Sequence, residues 1–267
     1  MTAPTAGPRP ASVRRAPRPM SLWRLEVLRL VRSPRALVLG GVYLFFGLVS
    51  PVLARWMTEI MRYLSTTLTI VAPPRQAGDG MTEYVGQTSQ TGLIVVVVVA
   101  AGALSLDARP GLATFYRTRT TGTARLLLPR YVVGALAAIA ANALGAGACW
   151  YGTELLLGHL PTGAVLAGVA CTSVYLAFAV AVVTLAAATT RTTLGAIGVG
   201  LVVLLVLPVL GLSGALHPWL PSTLVQAPVQ LLATAGLDDV WRALAVSAVA
   251  VPALFGLAVR RSAARDL

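Results

Sequence analysis

Arginine is sorted along this chain in a way that leaves few folds open. Six long apolar stretches divide the 267 residues: Ala36–Ala54, Gly86–Leu106, Tyr131–Leu157, Ala164–Ala188, Thr193–Leu212 and Val240–Val259. The arginines collect in every second interval between them. The N-terminal arm carries Arg9, Arg14, Arg15, Arg18, Arg24, Arg29, Arg32 and Arg35. The interval after the second stretch carries Arg109, Arg117, Arg119, Arg125 and Arg130, the one after the fourth carries Arg191, and the tail carries Arg260, Arg261 and Arg265. Of 21 basic residues only Arg55, Arg62, Arg75 and Arg242 fall elsewhere. Positive charge is retained on the cytoplasmic side during insertion, so the pattern predicts six spans with both termini inside. Acids lean the other way: Glu59, Asp79, Glu83, Glu154, Asp238 and Asp239 fall outside, against Glu26, Asp107 and Asp266 inside.

Composition narrows the class further. The chain is 57% hydrophobic and 11% charged, with a mean hydropathy of +0.79, too little charge for a water-soluble domain of this size. Each run supplies or nearly supplies the ~20 apolar residues that a bilayer crossing needs. Nothing alternates with the period of barrel strands, so the expected fold is an all-α membrane protein of six transmembrane helices. Met1–Met20, rich in Pro and Arg, reads as a disordered cytoplasmic arm, and residues 21–267 as one transmembrane domain. The net charge of +12 sits on loops flanking spans, where topology and anionic lipid account for it; nucleic acid is not an expected partner.

All basic residues are arginine; there is no lysine. A phosphate-binding P-loop and a Schiff-base enzyme are therefore excluded. Cys149 and Cys171 fall inside spans and read as small buried hydrophobes. With only His159 and His217 available, no metal-ligand spacing arises. Gly211-Leu212-Ser213-Gly214 has the form of a rhomboid-type nucleophile turn, but no histidine follows on a later span to act as base. Val52-Leu53-Ala54 has the form of a signal-peptide cleavage site, behind an apolar run longer than a signal core.

Several segments have a readable local character. Ser21 is placed to cap a helix starting at Leu22, and Ser33-Pro34 to end it. On that helix Trp23, Val27, Leu30 and Val31 share a face, opposite Arg24, Arg29 and Arg32, as in an interfacial helix lying on the inner leaflet. After the first span, Trp56, Ile60 and Leu64 recur at helical spacing. That pattern either extends the first helix or lies on the outer surface. The second stretch has a polar outer third, Gln87, Thr88, Ser89, Gln90 and Thr91. It is either the wet wall of a pathway or a sign that the span starts later. Asn142, mid-way in the third span, either lines a path or bonds a neighbouring helix. Glu154 falls near the outer end of that span. Gly211–Asp239, half-apolar with Pro218, Pro221 and Pro228, suits a re-entrant or surface-lying outer segment between the fifth and sixth spans.

The interval Asp107–Arg130 carries the most specific signal. An acid, Asp107, is followed by Gly111, the aromatic pair Phe115-Tyr116, the basic Arg117, Arg119 and Arg125, a turn at Thr120-Thr121-Gly122, and Leu126-Leu127-Leu128 with Arg130 leading into the third span. In this sequence of features and in its six-span plan the chain resembles the permease subunits of ABC-2 type transporters. It departs from them in having Asp107-Ala108-Arg109-Pro110 where the family usually has Glu-Arg. The resemblance implies an efflux permease of the bacterial inner membrane with a cytoplasmic ATPase and a second permease copy as partners. Asp107–Arg130 would be the coupling loop. The chain itself would bind no cofactor, ATP and Mg residing on the partner, and the cargo would be a small lipophilic compound. An ion-coupled secondary transporter and a non-transporting scaffold are the competing readings; the first would need an acid or histidine near mid-membrane.

Overall fold

A computed structural model describes residues 22–64, 76–105, 123–190, 192–234 and 240–264. All regular structure among them is helical, without strands. A short helix, α1 (Leu22–Val31), precedes α2 (Pro34–Leu64). The next span is made of α3 (Gly78–Gln87), a π turn (Thr88–Gly92) and α4 (Leu93–Leu104). Then come α5 (Thr123–Leu156), α6 (Thr162–Thr189) and α7 (Thr193–Leu210), two 3-10 turns (His217–Trp219 and Pro221–Val225), α8 (Ala227–Thr234) and α9 (Trp241–Ala264). Six of these units are long and apolar enough to cross a membrane, and the chain is a multi-pass membrane protein in architecture.

Helix boundaries run past the apolar runs that announce them. The first run ends at Ala54, but α2 continues unbroken to Leu64 through Pro51, so the Trp56-Ile60-Leu64 pattern extends the first helix. The second run begins at Gly86, but α3 begins at Gly78. The polar stretch from Gln87 to Thr91 is thus inside one continuous helical unit made of α3, the π turn and α4. Backbone hydrogen bonding continues wherever the local pattern permits, whereas hydropathy reports only the lipid-facing part.

Residue contacts fix the relative direction of the first three spans. Tyr43 of α2 meets Gly92, and Arg35 meets Gly102, so this span runs antiparallel to α2. Gly47 meets Gly145 and Pro51 meets Gly152, so α5 runs parallel to α2. Tyr131, early in α5, packs its ring 5.3 Å from Phe255, late in α9. The chain consequently returns to the end of the bundle where α1 lies. At the opposite, far end, Gly158 adopts φ +122 in the tight turn between α5 and α6, a conformation that favours glycine. Thr192 caps α7, accepting from the Gly195 amide at 3.1 Å.

α6 is the central helix. Its buried residues, among them Tyr175, Ala179, Val180, Val183 and Thr184, are spread around its circumference. By contrast α7 buries only Ala196, Gly200 and Leu204, and exposes Leu194, Val202, Val203, Leu205, Val206 and Val209. So large an apolar surface is stable against lipid and not against water. Two interior hydroxyls are satisfied within their own helices: Thr184 donates to the Val180 carbonyl and Ser247 to that of Ala243, each at 2.7 Å. Both cysteines are free and buried.

Between α7 and α9 the chain does not simply cross the end of the bundle. Pro221–Val225 and α8 pack against the far half of α6, burying Ser222, Thr223, Leu224, Ala227 and Leu231. Pro228 lies directly on Gly168, where a Cβ would strike its backbone.

Candidate functional site

Two regions gather the polar chemistry of the described residues. The first is at the α1 end. Glu26, on α1, accepts from Arg130 Nε at 3.0 Å and from Arg29 Nη1 at 3.1 Å through the same oxygen. The Arg130 side chain is 5% exposed, that of Arg29 50%. The bond to Arg130 spans elements distant in sequence and pins α1 to the first turns of α5. Helix α1 turns Leu22, Glu26 and Leu30 partly inward and leaves Trp23, Val27 and Val31 exposed on one side, with Arg24, Arg29 and Arg32 exposed around the rest. The predicted apolar face therefore exists, except that Leu30 is half-buried against the bundle. An exposed Trp-Val-Val stripe bordered by arginines is suited to the headgroup boundary of a bilayer.

Of the proposed coupling loop, Arg125 is exposed on the first turn of α5. Asp107, Gly111, Phe115, Tyr116, Arg117 and Arg119 lie outside the described residues, as do Ser21 and the Met1–Met20 arm. Arg130, read from the sequence as the basic residue leading out of that loop, is instead buried in the clamp.

The second region is a cavity inside the bundle, between α2, α3 with its π turn, α5, α6 and the Pro221–Pro228 segment. Its polar lining comes from Tyr43, Tyr84, Thr88, Ser89, Asn142, Thr172 and Tyr175. Tyr84 donates its hydroxyl to Asn142, lying 3.1 Å from the backbone carbonyl and 3.2 Å from Oδ1. Thr88 donates to the Tyr84 carbonyl at 2.7 Å, and Thr172 to those of Gly168 at 3.1 Å and Leu224 at 3.4 Å. Gly92 makes the room that Tyr43 occupies: a Cβ there would stand 3.0 Å from the ring carbon bearing the hydroxyl. No group of three His, Cys, Asp or Glu that could hold a metal occurs among the described residues.

The structure divides the residues expected to line a pathway. Thr88 and Asn142 meet at the cavity, bridged by Tyr84. Gln87 turns away and donates to Glu83 at 3.0 Å. Gln90 and Thr91 are exposed on the outside of the helix and do not line the cavity, because the π turn rotates successive residues off the Thr88 face. Tyr43, Tyr84 and Tyr175 went unnoticed in the sequence. The one available signal was their type: an isolated tyrosine inside an apolar run brings a hydroxyl that must find a partner. Glu154, at the far end of α5, pairs with His159 at 3.0 Å. Ser213 donates to the Leu210 carbonyl at 2.8 Å.

No protein-family model matches the chain, and no curated protein does so either.

Proposed function

We propose that this chain is the membrane-spanning permease subunit of an ATP-driven exporter of the bacterial inner membrane. It carries a small lipophilic compound outward with both termini in the cytoplasm. A separate cytoplasmic ATPase binds ATP and Mg and supplies the energy, and a second permease copy completes the pathway. Beside the loop pattern of Asp107–Arg130, one observation carries the reading: the Glu26–Arg130 clamp. An ATPase outside the bilayer can move spans only by pushing on a stiff element attached to them. The interval that would receive that push runs directly into α5, and the clamp ties α1 to the same turns. Force applied there would reach both the third span and the interfacial helix as one unit. Phe115 and Tyr116 are the anchors that would fill a groove on the ATPase, with Asp107, Arg117, Arg119 and Arg125 supplying polar contacts.

The test is co-purification of the tagged permease in mild detergent, scored for a nucleotide-binding partner and ATPase activity. A stoichiometric ATPase is expected, and it should be lost when Phe115 and Tyr116 are both changed to Ala while membrane insertion persists. A permease that purifies alone, or an association indifferent to both aromatics, would overturn the assignment.

A further inference from the structure

The cavity holds more hydrogen-bonding capacity than the protein uses. Tyr43 is 1% exposed and Tyr175 3% exposed, and both line it. Among the described residues neither hydroxyl has a hydrogen-bond partner. The side-chain amide nitrogen of Asn142 likewise has none, its oxygen being taken by Tyr84. Polar groups that face a cavity in an apolar bundle without a partner are costly, and those that persist normally face an occupant. The cavity volume is about 20 Å³, room for one water-sized group such as a carbonyl. Ser89, Val169, Thr172 and Val225 keep partial exposure at its edge, so the cavity is not sealed.

The chemistry of the occupant follows from what surrounds it. The unused groups can all donate. The other hydroxyls, on Tyr84, Thr88, Ser89 and Thr172, already donate within the protein. Among the described residues no charged side chain lines the cavity, so an ion would enter without a counter-charge from them. Met81, Val85, Leu93, Ala146, Leu176 and Pro228 form the rest of the wall; they are apolar but enclose no room for a chain, so the hydrocarbon of an occupant lies outside the edge.

The geometry points to a binding site for a neutral, lipophilic molecule that presents one hydrogen-bond-accepting oxygen, a carbonyl above all, to Tyr43, Tyr175 and Asn142. The assignment stands apart from ATP-driven transport, since binding to this site requires neither an ATPase nor turnover. A free lipophilic compound and the ester carbonyl of a membrane lipid share this chemistry.

The test uses the full chain in nanodiscs and 2-decanone labelled with 13C at the carbonyl. Saturable binding with a downfield carbonyl shift is expected, resistant to displacement by n-undecane, which has the chain but no acceptor. Tyr43→Phe/Tyr175→Phe keeps the ring packing and should bind roughly tenfold more weakly. Binding in ether-linked lipid tighter than in ester-linked lipid assigns the natural occupant to lipid esters; equal binding assigns it to a free molecule. Non-saturable partitioning into the wild type, equal displacement by the hydrocarbon, or a folded double variant that binds as well as wild type would each overturn the proposal. The first two readouts need no variant, so misfolding of the double Phe chain would not rescue it.

Discussion

Glu26→Gln isolates the clamp between α1 and α5. The substitution keeps the shape of the side chain and its ability to accept a bond, but removes the charge. Two arginines share the same Glu26 oxygen, and their surroundings differ: the Arg130 side chain is 5% exposed and that of Arg29 50%. Breaking a buried ion pair costs about 3–5 kcal/mol when the remaining charge is stranded. Here Glu26 is itself 13% exposed and Arg130 retains other interactions, so about 2 kcal/mol is expected, near the worth of one charged hydrogen bond. That raises the equilibrium for detachment of α1 roughly thirtyfold. Arg29→Gln removes the exposed arm alone, worth below about 1 kcal/mol and screened by salt, and should raise detachment by less than about fivefold. Hydrogen exchange of the Leu22–Val31 amides in nanodiscs reads both. Equal protection in the two variants, or a Glu26→Gln effect abolished by added salt, would refute the idea that α1 is held through the buried arm.

Three further outcomes test the packing and the topology. Gly47→Ala would drive a Cβ into the Gly145 carbonyl and should destabilise the chain by about 3 kcal/mol in a detergent unfolding titration, whereas Gly198→Ala, which meets nothing, should unfold like wild type. Gly168→Ala would push Pro228 off α6, so exchange across Ala227–Thr234 should accelerate at least tenfold, estimated from roughly 1.4 kcal/mol of overpacking, while the Leu93–Leu104 amides stay protected. Reporters fused after Tyr63 and after Gly122 should read outside and inside the cell respectively; the reverse pair would invert every assignment that depends on the cytoplasmic face.

The number and order of long helices were legible because each is stated locally, by twenty or so apolar residues and the polar breaks between them. Their ends were not. Gly78–Val85 looks like a loop by hydropathy, yet it folds as the start of a span, burying Gly80, Met81, Tyr84 and Val85 against the bundle. Burial there comes from α2 and α5, which no window of neighbouring residues can register. The same limit hid the clamp: Glu26 and Arg130 each look like ordinary members of a basic cytoplasmic flank, and only the fold joins them. For the cavity the sequence offered Thr88 and Asn142 but grouped them with Gln90 and Thr91, since a composition argument sees a polar stretch and not the π turn that splits it. Tyr43, Tyr84 and Tyr175 sit on three helices, and their convergence has no signature in any one of them.

The contact between Gly47 and Gly145 has a mechanical consequence. Two helices separated by side chains can slide, because rotamers yield and re-engage along the groove. Here backbone touches backbone, and the residues one turn away on the same face bear side chains: Tyr43 and Pro51 on α2, Ala141 and Cys149 on α5. Axial translation of α2 along α5 by a turn would put one of those Cβ atoms where only hydrogen fits. Tilting about the crossing point meets no such obstacle. The pair is built as a pivot, so any rearrangement that opens and closes this bundle must rock about that point.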